Sequence, residues 1–435
     1  MNSRSGAKNI SPLNTGARMD SKPKINQKLS KLIKKGVDIP LPQTVYIHDD
    51  VHVDQISGKN VKIYPGCRIY GSKTVISSGC KLGYEAPVTL EDCRLAQDVE
   101  LKGGYFSKSV FLEKSNMGMG AHVREGCLLE EEAGGAHSVG LKQTILFPFV
   151  TLGSLINFCD CFMAGGTSRR NHSEVGSSYI HFNFTPDGDK ATPSLIGDVP
   201  RGVMLNQPPI FLGGQGGMVG PIRLGYGNVV AAGSILRKDC PQDHQLIFDM
   251  QQIRGIRNFK PAAYPNLRRI LENNILYLAN INALQAWYKN IRKPFFEARE
   301  FGALVYAGAV DLLASAREER LKRLRTMAQK AVDQSPQKLK STEIKQRQAF
   351  LENTGKIEEL LNKNIGDTKM NKTEEIFVRA FEHFCDKDGK SYIETIQNLP
   401  PSISTKGVRW LQEIVNYYCE SISTVIPSLK LFGTK

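Results

Sequence analysis

The sequence predicts a mainly β chain with an α tail: a parallel β-helix over residues 41–249, then a helical C-terminal region. Three observations carry this. Aliphatic residues recur at a six-residue step through the middle of the chain. Glycine is dense there, and no amphipathic helix of useful length occurs. Beyond residue 250 the apolar step changes to three and four residues, the helical period.

The chain has 435 residues, of which 41% are apolar and 23% charged, an ordinary globular composition. At roughly 150 residues per domain, two or three domains are expected. No apolar run is long enough for a membrane span. The polar, basic N-terminus lacks the apolar segment of a secretory leader. Nine cysteines without such a leader read as reduced thiols, and the expected location is cytoplasmic.

Residues 1–40 are expected to form a basic, mostly disordered arm with one short helix near Asn26 to Lys35. The net charge of +14 is concentrated at the two ends. Residues 1–38 hold nine Lys and Arg against two Asp and Glu; residues 251–435 hold 30 against 20. Such flanks suit nucleic acid, anionic lipid or an acidic partner. No aromatics interleave them as a stacking platform needs, which favours plain solvated faces.

Within 41–249, Ile63, Ile69 and Val75 are six apart, as are Met117, Val123, Leu129 and Leu224, Val230, Leu236. A step of six fits neither the helical period of 3.6 nor the strand period of 2. It fits a three-sided coil in which each hexad is one short strand and one corner. The aliphatic residue fills the interior, and coils stack because one coil cannot bury its own core. Cys67, Cys80 and Cys93, thirteen apart, read as small core residues near one another. The repeat weakens between Leu129 and Leu212, where Glu130-Glu131-Glu132 and Asp187 to Pro193 read as insertions. Loops leaving a rigid solenoid are natural places for a site. Residues 250–365 are expected as a helical extension, and 366–435 as a last helical segment with helices near 373–385 and 408–424.

Hexads such as Leu224 to Val229 and Val230 to Ile235 resemble the left-handed β-helix hexapeptide-repeat acyltransferases. Residues 170–240 are more specific. Val175-Gly176 to Asn183-Phe184, Asp187-Gly188, Lys190, Thr192 and Ile196-Gly197-Asp198 resemble the acetyltransferase half of bacterial bifunctional N-acetylglucosamine-1-phosphate uridyltransferase. Phe211 to Gly214, Val219-Gly220-Pro221 and Ala232-Gly233-Ser234 continue in that family's order. The uridyltransferase half, with its glycine-rich nucleotide loop, has no counterpart here.

The resemblance implies acyl transfer from acetyl-CoA to an amino sugar phosphate or nucleotide sugar, in a trimer. Such chemistry needs a base for the amine, stabilisation of the thioester oxygen, and two substrates held together. His172 is the expected base, with Asn157-Phe158 upstream matching the family's Asn-Phe; an ungapped alignment instead sets the family's histidine one coil upstream. His181 is the second choice, with an outward-facing side chain. Asn183 matches a ligand-contacting Asn. Phe184 replaces a Tyr. Arg169, Arg170 and Lys190 are expected to hold a sugar phosphate. Ser177, Gly214 and Ala232 fall where small residues line the cofactor groove, with Gly214 replacing a Ser. No metal is expected: His137, His172 and His181 do not match the zinc spacing of related solenoids, and Asp386 to Gly389 reads as a turn. The competing reading is a non-catalytic solenoid that binds sugar nucleotides or scaffolds an assembly through its basic helices.

Overall fold

The computed structural model describes residues 27–183, 191–248, 264, 266–333, 339–363, 372–385 and 391–433. Expectations for 1–26, Phe184, Lys190 and Asp386 to Gly389 lie outside the described residues.

The chain rotates through three parallel sheets, which form the faces of a prism. The first face has ten strands, the second eight and the third ten. One coil shows the rotation: β9 (Gly104–Ser107) lies on face one, β10 (Val110–Phe111) on face two, β11 (Asn116–Met117) on face three. The next coil returns to face one at β12 (Ala121–Val123), with Val123 opposite Phe106. The architecture is a left-handed parallel β-helix followed by a helical region.

Alternation decides which side chains point inward. On face one the inward column runs through Phe106, Val123, Leu141 and Phe158, all buried. On face three it runs through Leu152, Val175, Leu212 and Val230, also buried. Each such side chain contributes about 1.5–3 kcal/mol by leaving water. The hexads at 117–129 and 224–236 stand as expected. Val75 does not: Ile76 holds the interior column opposite Leu95, and Val75 points outward. Glu130-Glu131-Glu132 is not an insertion, because β13 (Leu128–Leu129) and β14 (Gly134–Gly135) keep the six-residue step.

Face two differs from the others. Its outward residues Val110, Leu128, Ile145, Phe162 and Leu195 are buried as well. The helices lie over them. α3 (Leu267–Trp287) touches β24 (Ser194–Ile196), and α5 (Gly302–Asp333) touches β7 (Arg94–Leu95) and β10. Between α3 and the short α4 (Lys293–Glu297), a π-helical stretch spans Tyr288–Arg292. α6 (Ser341–Asn362), α7 (Lys372–Phe384), α8 (Tyr392–Gln397) and α9 (Pro401–Val425) complete the region. α3 and α9 pack together around a stack in which Phe377 lies 5.8 Å from Trp287 and 5.7 Å from Trp410.

Polar ties fix the helices to the prism. Arg320 Nη2 meets Asp160 Oδ1 at 2.8 Å, and Arg292 Nη2 meets Glu131 Oε1 at 2.7 Å. Tyr288 donates to Glu130 Oε1 at 2.5 Å, and burial lifts that carboxyl to about 7. All nine cysteines are free thiols. Cys67, Cys80 and Cys93 precede strands on three different faces, and burial pushes the last two up to about 12, so they are packing residues rather than nucleophiles. Among the described residues no helix is long and apolar enough to cross a membrane.

Candidate active site

Among the described residues, two excursions interrupt the coils where the repeat weakens. One is an antiparallel hairpin of β20 (Gly166–Ser168) and β21 (Asn171–His172), at the corner from face two to face three. Gly166 has φ +94°, and a Cβ there would lie 2.6 Å from the His172 Cα, so the hairpin closes only with glycine. The other spans residues 197–210 and contains α2 (Val199–Gly202), capped by Asp198, which accepts from the Arg201 backbone at 2.9 Å.

The hairpin carries His172. Its Nδ1 lies 2.8 Å from the Arg169 carbonyl and its Nε2 3.8 Å from Glu174 Oε2. A carbonyl only accepts, so Nδ1 holds the proton and Nε2 keeps the lone pair of a base. Arg169 is spent on structure: its Nη1 donates to Glu132 O, Phe149 O and Thr151 Oγ1 at 3.0, 3.3 and 2.8 Å. Arg170 is exposed beside it.

Ser177, Gly214 and Ala232 form one column at the corner from face three to face one. Each follows by two residues an inward residue, Val175, Leu212 and Val230, and these three are in register. The coils touch through backbone. A Cβ on Gly176 would lie 2.4 Å from Gly214 N, and one on Gly213 2.3 Å from Ala232 N. The result is a corner column poor in side chains, here called the furrow.

Register extends the column to residues that sequence reasoning missed as part of the groove. Ser154 stands two after Leu152, and His137 two after Gly135. His137 Nδ1 lies 2.9 Å from Ser154 Oγ, and the Ser154 backbone donates to Ser177 Oγ at 3.2 Å. The signal was the offset of two from the inward residue of face three.

The expected site residues therefore do not converge within one chain. His172 sits at the second-to-third corner, Ser177 at the third-to-first, and Asn183, exposed, after β23 (Ile180–Phe182) at the first-to-second. The five-residue path from His172 to Ser177 spans at most about 17 Å. His181 corrects the sequence reading. It points into the prism between Phe158 and Met218, not outward. It is buried, and desolvation lowers it to about 4. Its Nε2 lies 2.8 Å from Ser194 Oγ.

The bifunctional protein GlmU of Thermotoga maritima is 28% identical over 216 residues, 49% of this chain and 43% of that protein. This chain resembles the hexapeptide-repeat transferases. GlmU of Trichlorobacter lovleyi is 29% identical over 224 residues, 51% of this chain and 43% of its own. The chain thus spans less than half the length of these relatives. A solved structure of LpxA from Acinetobacter baumannii aligns over 47% of this chain and 66% of its own, at 11% identity and a TM-score of 0.16. No protein-family model matches the chain.

Proposed function

We propose that this protein transfers an acyl group from a thioester to the amine of a sugar derivative, with acetyl-CoA as donor and an amino sugar phosphate or nucleotide sugar as acceptor. The observation that supports it most is the furrow from His137 through Ser154 and Ser177 to Gly214 and Ala232. It offers a bare track for a pantetheine arm and an imidazole at its edge. The similarity of half the chain to GlmU supports the same reading.

In the base-competent tautomer, His137 Nδ1–H donates to Ser154 Oγ and Nε2 takes a proton from the acceptor amine. The amine attacks the thioester carbon, the C–N bond forms, and the C–S bond breaks. The departing thiolate takes the proton back from the imidazolium. His172 serves the same furrow only when a neighbouring copy brings it there, as a trimer would. The wide separation of His172, Ser177 and Asn183 favours a second reading, a non-catalytic solenoid that binds a sugar nucleotide.

Thiol release from acetyl-CoA with a panel of amino sugars and their phosphates tests this. His137→Ala is expected to lower kcat by about 100-fold or more, the usual worth of a positioned base, and His172→Ala by less than about threefold. The reverse ranking makes the partner-delivered His172 the base. Absence of turnover across the panel by folded protein leaves the non-catalytic reading.

A further inference from the structure

We propose that the contact between the prism and the π-helical stretch is a proton-operated latch: two consecutive carboxyl groups, Glu130 and Glu131, face one guanidinium, Arg292, and the contact closes fully only while Glu130 holds a proton. The latch does not rest on the acyl-transfer reading.

Glu130 and Glu131 stand at the second-to-third corner of the prism, between β13 and β14. Glu130 is 3% exposed and Arg292 1%, so water screens neither. Arg292 Nη2 and Nη1 donate to the two Glu131 carboxylate oxygens at 2.7 and 3.2 Å, a bidentate pair. Rings cover the guanidinium: the centroids of Tyr288, Phe296 and Tyr392 lie 5.2, 5.3 and 3.7 Å from it. Glu130 receives a hydroxyl instead, donated by Tyr288 at 2.5 Å. The groups that face Glu130 are thus Glu131 from its own corner, Tyr288 and Arg292 from the π-helical stretch, and Tyr392 from α8. A cavity of about 890 Å³ borders this cluster, with Glu131, Arg292 and Tyr392 in its wall. Lys114 and Arg299, on the same wall, engage Glu113.

With Glu130 protonated, the cluster holds one carboxylate and one guanidinium, and the charges balance. Without that proton a second negative charge is buried beside the first and shares the same cation, and a buried charge left uncompensated is costly. Burial raises the Glu130 carboxyl, Arg292 draws it back, Glu131 raises it further and the Tyr288 hydroxyl lowers it, which leaves it at about 7. Opened to water, the same carboxyl ionises near its ordinary 4.5. Between those values the closed form binds the extra proton. Closure is therefore strongest below about 4.5, weakens as pH rises and levels off above about 7. The relief is local. Tyr288 and Arg292 both belong to the π-helical stretch, a rare geometry that clusters at functional sites. The cavity gives that stretch room to move and water a way to the carboxylates. Other parts of the helical layer are tied down independently, by Arg320 to Asp160 and by Gln397 Nε2, which donates to the Thr167 carbonyl at 2.6 Å.

Hydrogen exchange of the full-length protein tests the latch, read at the amides of residues 289–298 from pH 5 to pH 8 and corrected for the intrinsic pH dependence of exchange. Opening is expected to increase across that range by at least about tenfold relative to the amides of α6. Glu130→Gln keeps an acceptor for Tyr288 but cannot ionise, and is expected to retain at pH 8 the protection that wild type shows at pH 5. Glu131→Gln is expected to flatten the profile as well, because Arg292 then neutralises Glu130. A Glu130 that served only as a hydrogen-bond acceptor would give the same protection at every pH in all three proteins. A flat wild-type profile overturns the proposal without any variant. An undiminished pH step in either variant that folds overturns it too.

Discussion

Arg320→Ala is expected to cost about 3–5 kcal/mol of folding stability, read as a lower urea midpoint by circular dichroism. Asp160 sits at a prism corner between β18 (Asn157–Cys159) and β19 (Cys161–Met163), and Arg320 projects from α5. Both are buried, at 8% and 3% exposure. Burial lifts the Asp160 carboxyl above its usual range, with Arg320 and then Arg323 pulling it back. The pair therefore does little net stabilising, yet removing one partner strands a buried charge. A carboxyl raised in the fold destabilises as pH climbs through its unfolded and then its folded pKa. The difference between wild type and variant is accordingly expected to widen from pH 4 to pH 7. The double substitution Asp160→Asn, Arg320→Met is expected to recover most of the loss, since no charge remains buried. A single variant within about 1 kcal/mol of wild type would show that α5 does not depend on this tie.

Much of the prism was legible because its interior obeys one arithmetic rule. Met117, Val123 and Leu129 step by six and occupy three faces of one coil. Val75 misled, because Val75-Ile76 offers two apolar residues where one was sought. That doubling was itself a signal. Val110-Phe111, Leu128-Leu129 and Ile145-Leu146 are apolar on both sides, as strands covered on both sides must be. They mark face two as the seat of the helices. Face one alternates instead: Asn157 is exposed and Phe158 buried. The triple glutamate looked like an insertion because its partners, Tyr288 and Arg292, lie some 160 residues away. The furrow was half legible. Resemblance supplied Ser177, Gly214 and Ala232, whereas His137 and Ser154 needed the register of face three. The hairpin hid the true coil spacing, since residues 166–172 leave the solenoid between β19 and β22 (Glu174–Val175).

His181→Met is expected to flatten the acid limb of the stability profile. The imidazole occupies an interior position that Met218 fills one coil later. As a neutral ring it is satisfied. Its other nitrogen bonds the Cys159 backbone, Nε2 faces the Ser194 hydroxyl, and Ser194 Oγ accepts from the Ile222 backbone at 2.9 Å. A second ring proton would find no acceptor without breaking this chain, and burial excludes the charge until about pH 4. The unfolded chain takes that proton near 6.5. Between those values the unfolded state binds more protons, so stability is constant above about 6.5 and falls as pH drops toward 4. Two and a half units correspond to about 3 kcal/mol. Methionine carries no such liability but forfeits the hydrogen bond to Ser194, about 1 kcal/mol. Wild type is therefore expected to be the more stable at pH 7.5 and the variant at pH 4.5, with urea midpoints crossing between. Parallel midpoints across that range would mean that the ring is protonated inside the prism. The same physics takes His181 out of the candidate bases: a ring that cannot accept a proton until about pH 4 cannot collect one from an amine near neutrality, whatever its neighbours in sequence.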